Sequence, residues 1–335
     1  MPGYGAWGAY APPKPGTIPL APLNFGQVLG GGLATFGRYG KQLAGVLVTA
    51  FGSALLLGAI VITATVAVFA TQADALADGL DGGGDAAVTA PAVVCAVLLG
   101  VLGLLALMAA QSVILAACAT AVQDGTLGRR TTYRALLRTS LRGARRSFPV
   151  NLVVGVLGLI PLAVFAVAAL SLGAFSSFDH PDGTALALSY LLMLAATPLV
   201  LWVSVRLCLA PVVAVAESAG PSAALRRSRT LVRGNWWRTF GLVAVAGMCA
   251  GLAASVINVV LELVGLITVF GAVTASPDGD SLAHSALVLL PLLAVALLFL
   301  AELVVLLYPQ LVLSVVYVDR RIRDEGLAQD LIRAL

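Results

Sequence analysis

Long apolar runs separated by short polar segments dominate the pattern of this chain. Six runs are long enough to cross about 30 Å of hydrocarbon as helices that rise 1.5 Å per residue. They lie near 43–70, 93–122, 150–175, 185–215, 239–273 and 284–317. The last two exceed the roughly 20 residues that a span needs, so we expect them to tilt, bend or project from the bilayer. The pattern predicts an all-α polytopic membrane protein with six transmembrane helices and no transmembrane strands.

An arginine-rich segment links the fourth and fifth runs. Residues 217–241 have the sequence ESAGPSAALRRSRTLVRGNWWRTFG, which contains the tryptophan pair Trp236 and Trp237. On a helix this segment would present two neighbouring stripes, an apolar one of Leu225, Val232 and Trp236 and a basic one of Arg226, Arg229 and Arg233. Such a layout favours a helix in the membrane interface with its guanidinium groups among lipid phosphates. The alternative is a charged loop that only satisfies the topology rule.

Amphipathic stretches also precede the other pairs of runs. Before the third run, an apolar stripe of Tyr133, Leu137, Leu141, Ala144 and Phe148 lies beside a basic stripe of Arg134, Arg138, Arg142 and Arg145. Before the first run, apolar residues recur at helical spacing at Phe25, Leu29, Leu33 and Phe36. We interpret the chain as three copies of a cytoplasmic amphipathic interfacial helix followed by a helical hairpin. Chance similarity among apolar hairpins is the alternative.

Charged residues alternate between the two sides of the predicted spans. The connections on one side carry aspartates and no lysine or arginine; they are 71–92, 176–184 and 274–283. The segments on the other side carry three, seven, five and four basic residues; they are 1–42, 123–149, 217–238 and 318–335. The positive-inside rule therefore predicts that both termini are cytoplasmic.

Three regions follow from this organisation. Residues 1–22 are rich in proline and glycine, which disfavour a helix, so we expect a disordered cytoplasmic tail with a short extended piece. Residues 23–317 form the predicted six-helix transmembrane domain. Residues 318–335 form a predicted short cytoplasmic C-terminal tail.

Composition further restricts the class of protein to which this chain can belong. The chain is 60% hydrophobic and 11% charged, whereas about a quarter of the residues in soluble domains are charged. The net charge is +4 and the isoelectric point is near 9.0, and the distribution of this charge favours a membrane surface over nucleic acid. All but two of the 20 basic residues are arginine, which indicates a G+C-rich bacterial genome and a bacterial cell membrane. The four cysteines and two histidines show no metal-ligand or disulfide spacing, so no metal or cofactor is predicted.

Two segments carry a family resemblance. They are PPKPGTIPLAPLNFGQVLGGGLATFGRYGKQL, at 12–43, and the arginine-rich segment 217–241. Together with six spans, they resemble bacterial integral membrane proteins related to the membrane domain of glycerophosphoryl diester phosphodiesterases. In two-domain members of that family a separate soluble barrel carries the hydrolysis, and this sequence holds no such barrel. The resemblance therefore implies location and architecture but not phosphodiesterase activity.

Three functional classes remain open at this point. The first is a non-enzymatic membrane protein that organises lipid, through anionic head groups, or a membrane-protein partner. The second is a small transporter or channel. The third is an enzyme that acts on lipid head groups, but the chain offers no nucleophile–base pair or metal constellation. We favour the first class and predict no enzyme activity.

Polar residues inside the predicted spans are few. They are Arg206 in the fourth span, Asn258 and Glu262 one turn apart in the fifth, and Glu302 in the sixth. Charged groups at such depth usually face the bundle interior, water or a partner. One hypothesis pairs Glu302 with Arg206, and the alternative lets Arg206 extend to the inner head groups. The glycines Gly30, Gly31 and Gly32 lack the context of a phosphate loop, so we interpret them as close helix packing or a helix break.

Overall fold

The computed structural model describes residues 16, 17, 19, 21–70, 90–172, 183–274 and 305–325, and within these ranges it is helical without strands. Seven helices have the bounds α1 Phe25–Ala70, α2 Ala90–Thr126, α3 Tyr133–Ser171, α4 Gly183–Leu207, α5 Ala210–Ala216, α6 Pro221–Val232 and α7 Trp236–Thr274. Residues 305–325 are also helical and are called the central helix below. The predicted all-α class is therefore confirmed.

Five stretches of the described chain are long and apolar enough to cross a membrane. They are Phe25–Ala67, Val94–Thr126, Tyr133–Ser171, Gly183–Ala216 and Trp236–Ile267. Each contains most of one of the first five predicted spans. The predicted sixth span, 284–317, lies outside the described residues except for 305–317. Glu302 and the acidic connections also lie outside them, apart from residues 90–92, 183–184 and 274, which belong to α2, α4 and α7.

Two of the predicted interfacial helices are not separate elements. α1 is one helix of 46 residues and α3 one helix of 39 residues, so each amphipathic stretch continues into its apolar run without a break. At 1.5 Å per residue these helices are about 69 and 58 Å long, roughly twice the hydrocarbon thickness. The glycines at 30–32 and Pro149 are accommodated inside the helices. Only the third amphipathic stretch forms a helix of its own, α6.

The central helix is buried on all its faces over ten consecutive residues, 311–320. A helix that is apolar all round belongs in the interior of a bundle. Its neighbours include α1, where a Cβ added at Gly32 would lie 2.9 Å from Val312 Cγ2. On α2, the Cys118 thiol lies 3.9 Å from the carbonyl oxygen of Leu307. Close packing of α1 on this helix, rather than a helix break, explains Gly32.

Packing is dense at one end of the bundle. The largest buried cluster gathers the first half of α1, the second half of α2, α5, α6 and the beginnings of α3 and α7 around the central helix. The other halves of the long helices expose large apolar side chains, such as Leu56, Leu170 and Val256, which are 70%, 73% and 67% exposed. Soluble monomers rarely expose contiguous apolar surface on this scale. The exposed halves therefore fit a lipid environment.

Both predicted tails contain residues that pack on the bundle. Thr17, in the predicted disordered segment, donates its backbone N–H to the carbonyl oxygen of Gly125 at 2.9 Å. At the other terminus the helix continues to residue 325, and Ile322 is still 6% exposed. The helix thus continues across the predicted boundary at 318, with Val315, Val316, Val318 and Ile322 on its buried face, and the boundary itself stays a prediction.

Candidate functional site

The arginine-rich helix α6 has one face on the bundle and one face free. Pro221 occupies its first turn, where the missing N–H costs nothing. Ala224, Ser228, Leu231 and Val232 are buried, whereas Arg226 and Arg229 are exposed. Ser228 donates its hydroxyl to the carbonyl oxygen of Arg206 at 2.8 Å, which anchors α6 to the end of α4. The buried face fixes the direction in which the arginines point.

α6 ends earlier than the predicted stripe requires. Its C-terminal residue is Val232, and the following Arg233 has an extended ψ of 130°. Gly234 then adopts a left-handed φ of +82°, a conformation that glycine accepts without steric cost. Trp236 therefore begins α7 and does not continue the stripe of Leu225 and Val232. The prediction of one helix through Trp236 is wrong for this reason.

The tryptophans form an aromatic cluster beside Arg206. The Trp236 indole lies parallel to Phe240 with 5.2 Å between ring centroids, and its Nε1–H donates to the carbonyl oxygen of Trp202 at 3.3 Å. Trp237 packs edge-on against Trp236 at 4.8 Å and is 78% exposed. The Arg206 guanidinium lies 3.8 Å from the centroid of the Trp202 ring. Tryptophan and arginine in this arrangement are typical of the membrane–water interface.

The beginning of α3 presents the second set of arginines. Arg134, Arg138, Arg142 and Arg145 are all exposed. The opposite face is buried through Leu136, Ser140, Gly143, Ala144 and Ser147. A Cβ added at Gly143 would lie 3.1 Å from Ala116 and 3.2 Å from Val215, so small residues allow the close approach of α2 and α5.

The face of α3 that packs on the bundle lies next to the apolar stripe and overlaps it at Ala144. Ala144 is the one member of that stripe that is buried, and Leu141 is 51% exposed. The small residues at 140, 143, 144 and 147 recur at helical spacing, which is the signal that could have identified the packing face.

The two arginine sets lie at the same end of the bundle. α6 packs against both α3 and α4. Arg146, which follows the α3 set, donates to the hydroxyl of Ser218 in the turn before α6 at 2.5 Å. Together, the exposed Arg134, Arg138, Arg142, Arg145, Arg226, Arg229 and Arg233 are called the free arginines below.

A buried ionic cluster on the central helix was missed by the sequence analysis. Asp319 is 1% exposed and accepts the backbone N–H of Leu23 at 2.8 Å. Its carboxylate also forms ion pairs with Arg238 of α7 at 3.2 Å and with Arg323 at 2.9 Å. Both guanidinium groups donate in addition to the carbonyl oxygen of Leu23. The i, i+4 spacing of Asp319 and Arg323 was the available signal.

A second ionic group surrounds Glu217 and Glu325. Glu217 accepts the Tyr317 hydroxyl at 2.9 Å and pairs with Arg227 at 3.3 Å. Arg227 also pairs with Glu325, which in turn pairs with Arg321 at 2.9 Å. These contacts join α6 to the central helix and give both Arg227 and Arg321 an acidic partner.

Two sets of arginines differ in their partners. Those around the central helix, Arg227, Arg238, Arg321 and Arg323, form ion pairs with Asp319, Glu217 or Glu325. Within the described part of the chain, no ion pair involves any free arginine. The free arginines therefore present charge that the described protein groups do not neutralise.

The polar candidates inside the spans are only partly brought together. Asn258 and Glu262 are exposed on α7 and one turn apart, as the sequence predicts. Arg206 lies in the last turn of α4, against Trp202. Because Glu302 lies outside the described residues, its pairing with Arg206 stays a prediction. No group of three His, Cys, Asp or Glu residues arranged to hold a metal occurs in the described ranges.

Within the residues that the structure describes, the protein is helical, and five stretches are long and apolar enough to be compatible with embedding in a membrane. No family model, curated protein or solved structure matches the chain. The resemblance to the membrane domain of glycerophosphoryl diester phosphodiesterases thus stays a prediction.

Proposed function

We propose that the chain is a non-enzymatic multi-pass protein of the bacterial cell membrane that binds anionic lipid head groups through its free arginines. By holding these lipids it would organise the surrounding bilayer or a membrane-protein partner. Both termini would be cytoplasmic, and the free arginines would face the inner leaflet. The sixth predicted span would complete three helical hairpins.

The observation that carries this proposal is the division between paired and free arginines. A guanidinium group binds phosphate oxygens through two parallel hydrogen bonds, and arginine is favoured where such recognition matters. Each basic residue near an anionic membrane surface contributes about 1 kcal/mol. Seven free arginines at one end of the bundle supply guanidinium groups for such contacts, and the exposed Trp237 and Trp202 suit the head-group region.

The alternative function, a small transporter or channel, depends on Arg206, Glu262 and Glu302. Arg206 lies in the final turn of α4 and contacts Trp202, a position that suits an anchor at the interface. The described contacts thus favour lipid binding for this residue. A path that uses Glu262 and Glu302 stays a prediction.

Native mass spectrometry of the purified full chain tests the proposal. The protein is exchanged into mixed micelles that contain equal amounts of phosphatidylglycerol and phosphatidylcholine. We expect phosphatidylglycerol to be retained preferentially, and this preference to fall in the variant Arg134→Gln, Arg138→Gln, Arg142→Gln, Arg145→Gln. The matched variant with lysine at the same four positions should keep most of the preference, because the charge remains. Equal retention of both lipids by the unaltered protein would refute the proposal.

A further inference from the structure

A groove between α1, α2 and α3 has a volume of about 510 Å³, within the range of about 300–1,000 Å³ that is common for ligand sites. Its walls are mostly small and apolar, with five alanines, Ala50, Ala54, Ala106, Ala109 and Ala110, on the facing sides of α1 and α2. Leu137 and Leu141 of α3 form the third wall. The groove exists because the alanine side chains do not fill the space between the three helices.

Two hydroxyl groups line the groove, and both already donate hydrogen bonds within α1. Thr49 donates to the carbonyl oxygens of Gly45 and Val46, at 3.1 and 2.9 Å. Ser53 donates to the carbonyl oxygen of Ala50 at 2.8 Å. Both groups are satisfied within α1, so the site suits an apolar occupant rather than a polar solute.

The dimensions favour a single hydrocarbon chain. Along α1 the groove runs from Thr49 to Leu57, which is about 12 Å at 1.5 Å per residue and so fits within one leaflet of about 15 Å. A groove of this length, with a volume of about 510 Å³ and mostly apolar walls, therefore suits one acyl chain that lies along α1.

Exposed arginines neighbour, along α3, the two leucines that line the groove. Leu137 and Leu141 alternate along α3 with Arg134, Arg138 and Arg145, which are all exposed. At 100° per residue, these three arginines lie about 40–80° to one side of the leucine pair. A lipid whose acyl chain lies on the leucines would therefore place its phosphate near the guanidinium groups.

We propose that this groove binds one acyl chain of an anionic phospholipid whose phosphate is held by Arg134 and Arg138. This inference rests on the proposed function, since it assigns a defined binding site to one of the lipids that the free arginines attract. It goes further in making the α1–α2–α3 groove a specific site rather than part of a diffuse charged surface.

The test uses the full chain in nanodiscs that contain phosphatidylglycerol with a photoreactive diazirine on one acyl chain. After irradiation, adducts are mapped by peptide mass spectrometry. We expect them to concentrate on the groove walls of α1, α2 and α3. Ala109→Leu, which fills the groove from an exposed position, should reduce these adducts several-fold. Ala59→Leu adds the same volume at an exposed position of α1 outside the groove and should leave them unchanged.

The outcomes separate the groove from the proposed function. Preferential retention of phosphatidylglycerol with adducts scattered over the exposed halves of the helices would overturn the groove and leave the function standing. Equal labelling of the groove by photoreactive phosphatidylcholine would overturn the choice of an anionic occupant. Loss of the retention preference itself would instead overturn the function.

Discussion

Three guanidinium groups crowd around one carboxylate at the end of the central helix. Arg238 and Arg323 pair directly with Asp319, whereas Arg320 is 1% exposed and its Nε has no hydrogen-bond partner in the described structure. Burial, and then the neighbouring charge of Arg238, lowers the pKa of Arg320 below its ordinary value. Among the neighbouring acids, Asp319 opposes this lowering of the Arg320 pKa most strongly. The cluster therefore depends more on the single acid than on any one base.

Replacing the acid should accordingly cost more than replacing the unpartnered base. We expect Asp319→Asn to lower the free energy of unfolding by about 3–5 kcal/mol, since it leaves buried guanidinium groups uncompensated. Arg320→Met should be close to neutral, because it removes a buried charge with only long contacts, 3.4 Å and 3.5 Å, to Thr239 and Asn235. Denaturant titration in mixed micelles measures both. Equal losses would contradict this account of the cluster, and Glu325→Gln, at an exposed pair, is the control with an expected loss below about 1 kcal/mol.

Glycines within α1 provide a second comparison at this scale. A Cβ at Gly32 would meet Val312 at 2.9 Å and the Tyr308 ring at 3.5 Å, whereas a Cβ at Gly37 would meet nothing within 4 Å. Gly37→Ala should stabilise the protein by about 0.5–1 kcal/mol through helix propensity. Gly32→Ala should destabilise it by about 1–3 kcal/mol through overpacking. The same titration measures both, and a gain at Gly32 would show that α1 does not pack tightly on the central helix.

At the scale of elements, the break between α6 and α7 decides where the arginines and tryptophans point. Apolar runs predicted six long helices, five of which lie in the described residues, because an uninterrupted run needs only length to span a bilayer. The same patterns did not locate the element boundaries, since an amphipathic stretch can continue into a span or stop before it. Of the three amphipathic stretches, one ends before its span, at Val232. Gly234 marks this end in the sequence, as a glycine just past a helix end commonly does. The packing face of α3 was missed because it consists of small residues rather than large apolar ones.

Gly234→Ala tests this break. With φ at +82°, a residue with a Cβ is strained by about 1–2 kcal/mol, so we expect the variant to lose about that much stability. Gly234→Asn should lose less, because asparagine tolerates the left-handed region. Thermal unfolding followed by circular dichroism ranks the variants. An alanine variant as stable as the glycine protein would indicate that α6 and α7 can join into one helix.

At the scale of the whole molecule, the buried central helix ties the N-terminal part of α1 to α7 and α6. Its importance could not be predicted from the sequence, because charged residues 319–325 resemble a solvated tail when their partners lie far away in the chain. Leu23 and Asp319 are 296 residues apart, and yet the two form a hydrogen bond. The alternation of acidic and basic connections, by contrast, can be read from the local sequence, and it directly predicts the orientation of the chain in the membrane.

Cysteine accessibility in the full chain tests that orientation. In a background without the four native cysteines, single cysteines at 82, 180 and 279 should react with a membrane-impermeant maleimide added outside intact cells. Cysteines at Ala135 and Arg229, both exposed in the structure, should react only after the membrane is opened. Reaction of the cysteine at 135 in intact cells would overturn the predicted topology.

Solid-state NMR tests the central claim, that the free arginines hold lipid phosphates, most directly. The full chain, carrying ¹³C at arginine Cζ, is placed in phosphatidylglycerol bilayers, and dephasing of these carbons by ³¹P reports guanidinium groups next to phosphate. We predict clear dephasing that falls in the variant with glutamine at Arg134, Arg138, Arg142 and Arg145. Arg321→Gln, at an arginine paired with Glu325, should leave it unchanged. Dephasing that is equal in the unaltered chain and the fourfold glutamine variant would contradict the claim.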